Sequence, residues 1–307
     1  MDASAAQSLE SLYKEVFTET RYAIGQKLEA DRLFSMTRSV MRAFRERLYN
    51  ALLIYFYTTS KDHYIVSHIV NNMILAVGFG VYLRLSEEDL RDLTLCAFGH
   101  DFGMVEYTHF FQKGHQLTPE ENRLIRRHPL ESARRFEGIF PDRVLKAIEE
   151  VHEAVDGTGY PMGKTGLEIS SLAKITAICD VFEALTHPRS FRREFTAYEA
   201  IKLIIKKKDR IFDKWVLKRF VEFLSIYPVG GFVMLNTGET GMVVAAHRAF
   251  PTKPVVRVLL NARHEVESSQ REVDLVRESM IYVTAPLDAR AERELLRILR
   301  PRGSFDL

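Results

Sequence analysis

From Ala5 to Tyr57, apolar residues recur at spacings of three and four. This predicts helices through "SLYKEVFTETRYAIGQKL" and "RLFSMTRSVMRAFRERLYNALLIYFY". "TSKDHYIVSHIVNNMILAVGFGVYLRL" predicts a further helix, running into Gly78 and Gly80. "LSEEDLRDLTLCAFGH" opens on Ser86 as a cap, with Asp89 three positions on. Thr118-Pro119-Glu120-Glu121 forms a capping box with proline at the first helical position, and the helix it starts is expected to run through His128. Pro141 opens the next, expected to end near Glu153. "SSLAKITAICDVFEALTH" reads as a buried helix. Thr196 and Glu199 make a second capping box, and "DKWVLKRFVEFLSIYP" ends the helical part. After Pro228 the pattern changes. "GGFVMLNTGETGMVVAA" and "KPVVRVLLN" are short β-branched runs punctuated by Gly and Asn, as in strands joined by hairpins. The expectation is a mainly α chain in three parts: an N-terminal helical region (1–58), a central helical domain (59–227) and a C-terminal module (228–307). That module has its strands at 228–285 and a closing helix at 287–299. No internal repeat is visible.

Composition narrows the function classes without choosing among them. The 307 residues make one large domain or two modest ones, and 46% hydrophobic content is enough for a sizeable core. A net charge of +2 makes no demand for a nucleic-acid polymer or an acidic membrane as partner. Cys96 and Cys179 both lie in apolar segments and read as reduced core residues of an intracellular protein. There is no run of eighteen apolar residues, and the start of the chain has no basic-then-apolar signal, so the expected location is cytoplasmic. Lys206, Lys207 and Lys208 read as a solvated helix face.

Six candidate metal ligands punctuate the middle of the chain: His68, His100, Asp101, His128, His152 and Asp180. A single buried histidine is more often a satisfied core residue, and a single aspartate near a helix end is more often a cap. Six on successive helices are harder to dismiss, because buried carboxylates and imidazoles need partners. A shared ion supplies those partners at once, and mixed His and carboxylate donors suit iron, manganese or zinc. An Asp beside a His can bridge two ions, and a two-metal site can activate a water for attack on a phosphodiester. The second informative stretch is "VHEAVDGTGYPMGKTGLEIS". Here His152 and Glu153 end a helix and Asp156-Gly157-Thr158-Gly159-Tyr160-Pro161 forms a loop. Its glycines permit positive φ and close backbone approach to a ligand, and Tyr160 before a proline is held extended. An ordinary helix connection with Asp156 in an Asx-turn fits the local residues equally well.

Together, His68, His100-Asp101, His128, His152-Glu153, the DGTGYP loop and Asp180 resemble the HD-GYP family, a branch of the HD superfamily of metal-dependent phosphohydrolases. The likeness covers roughly residues 60–225. It implies an HD-superfamily helical bundle holding two divalent ions, iron or manganese. It also implies hydrolysis of the second messenger cyclic di-GMP to pGpG and on to GMP. By the resemblance, His100 and Asp101 are the catalytic pair. His68, His128, His152 and Asp180 complete the metal ligands. Asp156, Gly157, Gly159, Tyr160 and Pro161 line the substrate, and Arg189 and Arg192 grip its phosphates. Without the family context, those arginines read as a solvated helix end.

Two positions depart from the pattern. Met104 stands where the family has a lysine, and Val151 where it has a further histidine. Tyr64 stands where trinuclear members supply a glutamate, which favours two ions over three. Losing a cation near the scissile phosphate typically costs about 10²–10³ in rate. The departures leave two expectations: a phosphodiesterase, or a weakened relative that serves as a cyclic di-GMP receptor or binds a signalling protein. The N-terminal helices can pack on the core or form a homodimer.

Overall fold

The computed structural model describes residues 3–26, 29–57, 64–111, 117–187, 195–207, 210–247, 249–269 and 271–299. The helices are α1 (Ala3–Gly25), α2 (Ala30–Tyr57), α3 (Tyr64–Tyr82), α4 (Glu87–Gly99), α5 (Thr108–Phe111), α6 (Pro119–Ile125), α7 (His128–Arg135), α8 (Asp142–Glu150), α9 (Ser171–Thr186), α10 (Ala197–Lys206) and α11 (Lys214–Leu224). A 3-10 turn (Phe102–Tyr107) follows α4. The strands β1 (Phe232–Leu235), β2 (Thr240–His247), β3 (Phe250–Leu260), β4 (Glu272–Asp274) and β5 (Val283–Pro286) come next, and α12 (Ala289–Leu299) closes the described chain.

α3 is the hub, packing against α1, α2, α4 and α9. Every residue from Val66 to Gly80 is buried, which explains why this helix is apolar nearly all round. By length and composition it is also the one described helix able to cross a membrane, but 83% of that window is buried inside the protein. Among its polar exceptions, His68, Asn71 and Asn72 fall at i, i+3 and i+4 and so share one face. α9 packs on that side, with Asp180 and Glu183 buried among Ile175, Ile178, Cys179 and Phe182. Cys96 and Cys179 are free and buried, as their apolar surroundings predict.

The local signals act where the sequence places them. Ser86 Oγ accepts from the Asp89 amide at 3.1 Å. Thr118–Glu121 and Thr196–Glu199 both make complete capping boxes. The helix begun at Thr118 does not reach His128 as expected, however. It stops at Ile125, and α7 starts afresh at His128. The reason is Pro129, which has no N–H for the Ile125 carbonyl four residues back. That carbonyl accepts from His128 Nδ1 instead, at 2.7 Å. Likewise, α8 ends at Glu150, short of Glu153, and a turn carries His152.

The strands form one antiparallel sheet in the order β4-β3-β2-β1-β5. Alternation sends Val233, Val243, Val256, Val258 and Val273 to one apolar cluster. Phe232, Met242 and Leu259 go to another, which Leu295 and Leu299 of α12 cover.

Candidate metal centre

Six segments of the helical region deliver the six predicted ligands to one place. His68 comes from α3, His100 from the residue that ends α4, and Asp101 from the start of the 3-10 turn. His128 begins α7, His152 lies in the turn after α8, and Asp180 comes from α9. The donor atoms of His68, His100 and Asp180 lie within 4.8 Å of one another, and so do those of Asp101, His128 and His152. Asp101 joins the two groups. Its Oδ2 is 3.1 Å from His68 Nε2, and its Oδ1 is 3.2 Å from His128 Nε2 and 3.4 Å from His152 Nε2. Asp180 Oδ1 stands 3.2 Å from His68 Nε2.

Three of the imidazoles are oriented from behind. His100 Nδ1 donates to the Ala97 carbonyl at 2.9 Å, and His128 Nδ1 to the carbonyl of Ile125. A carbonyl only accepts, so the proton sits on Nδ1 and the Nε2 lone pair faces the centre. Asn72 Nδ2 lies 3.1 Å from His100 Nε2 and marks the same lone pair. His68 Nδ1 meets the Glu183 carboxylate, the outer-sphere arrangement that fixes a ligand histidine and raises its basicity. Glu183 was not singled out from the sequence. The signal available was an acid three residues after Asp180, flanked by Val181, Phe182, Ala184 and Leu185 in α9.

The residues fit a metal ion. Asp101 Oδ1, His128 Nε2 and His152 Nε2 are buried and have no hydrogen-bond partner among the described residues, although they converge on one another. Leaving such groups unsatisfied is expensive, and a cation satisfies all three. Burial alone would raise the Asp101 carboxyl, but the surrounding imidazoles, His100 foremost, hold it well below the usual carboxylate range. Asp180 is held down against burial in the same way by His100 and His68. Burial disfavours the charged form of His68, yet the Glu183 carboxylate lifts it well above the ordinary imidazole value.

The loop at 156–161 adjoins the second ligand group. The Tyr160 ring stacks on His152 with centroids 5.1 Å apart and planes 9° from parallel, and the Tyr160 amide returns to the His152 carbonyl at 3.1 Å. The Tyr160–Pro161 peptide is cis. Gly157 has φ +79, as a tight turn requires. At Gly159 a Cβ would lie 2.2 Å from the Ala154 nitrogen, so its close approach is to the loop's own backbone. The Asp156 carboxylate is occupied within the loop as well: Oδ1 accepts the Thr158 amide at 3.0 Å in an Asx-turn, and Oδ2 meets Arg210 Nε at 3.3 Å. Glu153, buried next to His152, accepts the amides of Met162 at 2.7 Å and Lys164 at 2.9 Å. Lys164 Nζ in turn pairs with fully buried Glu150 at 2.7 Å. The Arg126 guanidinium lies over the Tyr160 ring, 5.2 Å from its centroid. Sequence reading passed over Arg126 because its significance lies entirely in what it stacks on.

Met104 is half-buried one turn beyond Asp101, and Val151 is buried in the main apolar core. Tyr64 stacks on His68 with centroids 5.9 Å apart. Arg189 and Arg192 lie outside the described residues.

A helical bundle that gathers His and Asp side chains into two adjoining ligand groups defines a metal-dependent HD-domain protein. Residues 58–216, more than half of the chain, match the HD domain family, and residues 232–295 match the KOW domain associated with HD domain. The chain belongs to the HD domain family. A cyclic di-GMP phosphodiesterase of Pseudomonas aeruginosa is 35% identical over 233 residues, covering 74% of this chain and 56% of that protein. A cyclic di-GMP phosphodiesterase of Borreliella burgdorferi is 26% identical over 211 residues, 68% of this chain and 56% of its own length. The chain therefore spans little more than half the length of these relatives. A solved HDG"Y"P protein from Bdellovibrio bacteriovorus has the same fold, with a TM-score of 0.59 at 16% identity over 72% of each chain.

Proposed function

We propose that the protein is a cyclic di-GMP phosphodiesterase, acting in the cytoplasm with two divalent ions, iron or manganese, and releasing pGpG or GMP. The observation that carries this reading is Asp101, whose two oxygens face the two ligand groups beside the Tyr160–Pro161 loop. His68, His100 and Asp180 would hold one ion and His128 and His152 the other, with Asp101 shared. When bound, such ions supply Lewis acidity and charge neutralisation for attack of water on a phosphodiester. The chain's own residues do the rest. The Nδ1 contacts keep the imidazole lone pairs aimed, and the loop packed on His152 shapes the substrate side. Arg189 and Arg192 would grip phosphate, with Arg126 as a further guanidinium at the mouth. In this reading the catalytic unit is 59–227, with 1–58 packed on it through α3 and 228–307 following it.

A second reading, a receptor that binds cyclic di-GMP without turnover, is favoured by Met104 and Val151. The deciding experiment loads the protein anaerobically with iron or manganese, measures bound metal, and follows cyclic di-GMP and its products. Product over many turnovers is expected, with Met104→Lys raising kcat by up to about 10²-fold. Tight binding with metal bound and no product would overturn the enzyme in favour of the receptor.

A further inference from the structure

A buried polar chain leads from the N-terminal helix to the first ligand group. Tyr13 of α1 is buried, and its hydroxyl donates to Asn71 Oδ1 at 3.2 Å. Asn71 Nδ2 donates to Glu183 Oε1 at 3.1 Å, and Glu183 Oε2 meets His68 Nδ1. The acceptor-only carboxylate of Glu183 sets the order of donors along this chain, and Ser67 is a further partner of the Tyr13 hydroxyl. Burial, with the Glu183 charge nearby, keeps the Tyr13 hydroxyl protonated. A protonated hydroxyl that donates to Asn71 fixes the amide with its oxygen toward Tyr13 and its nitrogen toward the carboxylate. The carboxylate accepts the hydrogen bond of His68 Nδ1 and leaves Nε2 for the ligand group. Glu183 Oε1 also faces His187 Nδ1 at 3.3 Å, so Asn71 and His187 share that oxygen. Tyr13 lies 45 residues before the span that matches the HD domain.

We infer that Tyr13 is a positioning residue for the metal centre, setting the tautomer and orientation of His68 through Asn71 and Glu183. The inference rests on the reading of His68 as a metal ligand. A second tie runs from the same helix. Arg135, at the end of α7, donates to the carbonyl of Ile24 at 2.8 Å, and α7 begins at His128. α1 is therefore braced against both ligand groups, and the N-terminal region becomes part of the site's support.

The test is a manganese titration of the 307-residue chain, stripped of metal and followed by electron paramagnetic resonance of free Mn²⁺. Tyr13→Phe keeps the ring and removes the hydroxyl. It is expected to weaken Mn²⁺ binding by about tenfold, the low end for an outer-sphere partner. In a Glu183→Gln background the same substitution should have no further effect, since both act on one chain. Thr20→Val is the structural control. Among the described residues its buried hydroxyl bonds to the Val16 carbonyl alone, at 2.7 Å within α1, so it should lower stability without moving Mn²⁺ affinity. Unchanged affinity in Tyr13→Phe, an equal loss in Thr20→Val, or full additivity with Glu183→Gln would each overturn the inference. A metal-loaded wild type that turns over no cyclic di-GMP would overturn the proposed enzyme while leaving this coupling standing.

Discussion

Asp101 touches four imidazoles, those of His68, His100, His128 and His152, with two oxygens. No other residue type does this. Asparagine would lose the charge, and glutamate would need space that a buried position lacks. Asp101→Ala is expected to lose metal from both ligand groups together while the helical circular dichroism is retained. Elemental analysis of the purified variant checks it, and retention of either ion would mean that Asp101 is not shared. The residue scale is also where the sequence was most legible. Six side chains scattered over more than a hundred positions were picked out as candidate ligands, and they converge. Glu183, Asn71, Tyr13 and Arg126 were not picked out, because their roles lie in what they touch across the fold.

Among the elements, the turn after α8 couples chemistry to shape. His152 faces the ligand group, while the next residue, Glu153, accepts two amides from the far side of the loop. Hydrogen bonds to a charged acceptor contribute about 1.5–3 kcal/mol each, so this one carboxylate fixes the loop against His152. Glu153→Ala is expected to speed hydrogen exchange at the Met162 and Lys164 amides and to weaken nucleotide binding, with metal content unchanged. Exchange mass spectrometry over 153–170 reads this directly. The sequence showed that a glycine-rich loop was present. It also offered the Asx-turn that Asp156 makes, but it did not show that Gly159 serves the loop's own packing. The break between α6 and α7 was missed as well: apolar periodicity continues across it, but Pro129 withholds one amide, and His128 uses the carbonyl that this leaves free.

For the molecule as a whole, α12 returns to the helical region. Glu292 lines a small cleft with Thr196, Tyr198, Tyr227 and Phe232, where Tyr198 and Tyr227 stack with centroids 5.8 Å apart. Burial pushes the Glu292 carboxyl up to about 7, with the Glu199 and Asp288 charges adding to it and a backbone contact from Phe232 opposing. A carboxyl raised on folding binds its proton more tightly in the native state. Its stabilising contribution is complete below the ordinary glutamate value and is lost as pH rises to about 7. Glu292→Gln should remove that slope. Thermal melts of the two proteins are expected to diverge in the variant's favour between about pH 5 and pH 8, and parallel curves would mean that the cleft does not hold a protonated acid.

The sequence by itself determined the helical and strand grammar, the capping boxes, the apolar character of α3 and the ordered ligand types. These depend on periodicity, on backbone hydrogen bonding near chain neighbours and on the chemistry of single side chains. Only the tertiary structure decided that the ligands fall into two groups with Asp101 between them, and that Glu183, Asn71 and Tyr13 stand behind His68. Those contacts join residues 115, 112 and 58 positions apart. Their partners are chosen by which faces of α1, α3 and α9 meet in the core, and no local pattern in the chain records that.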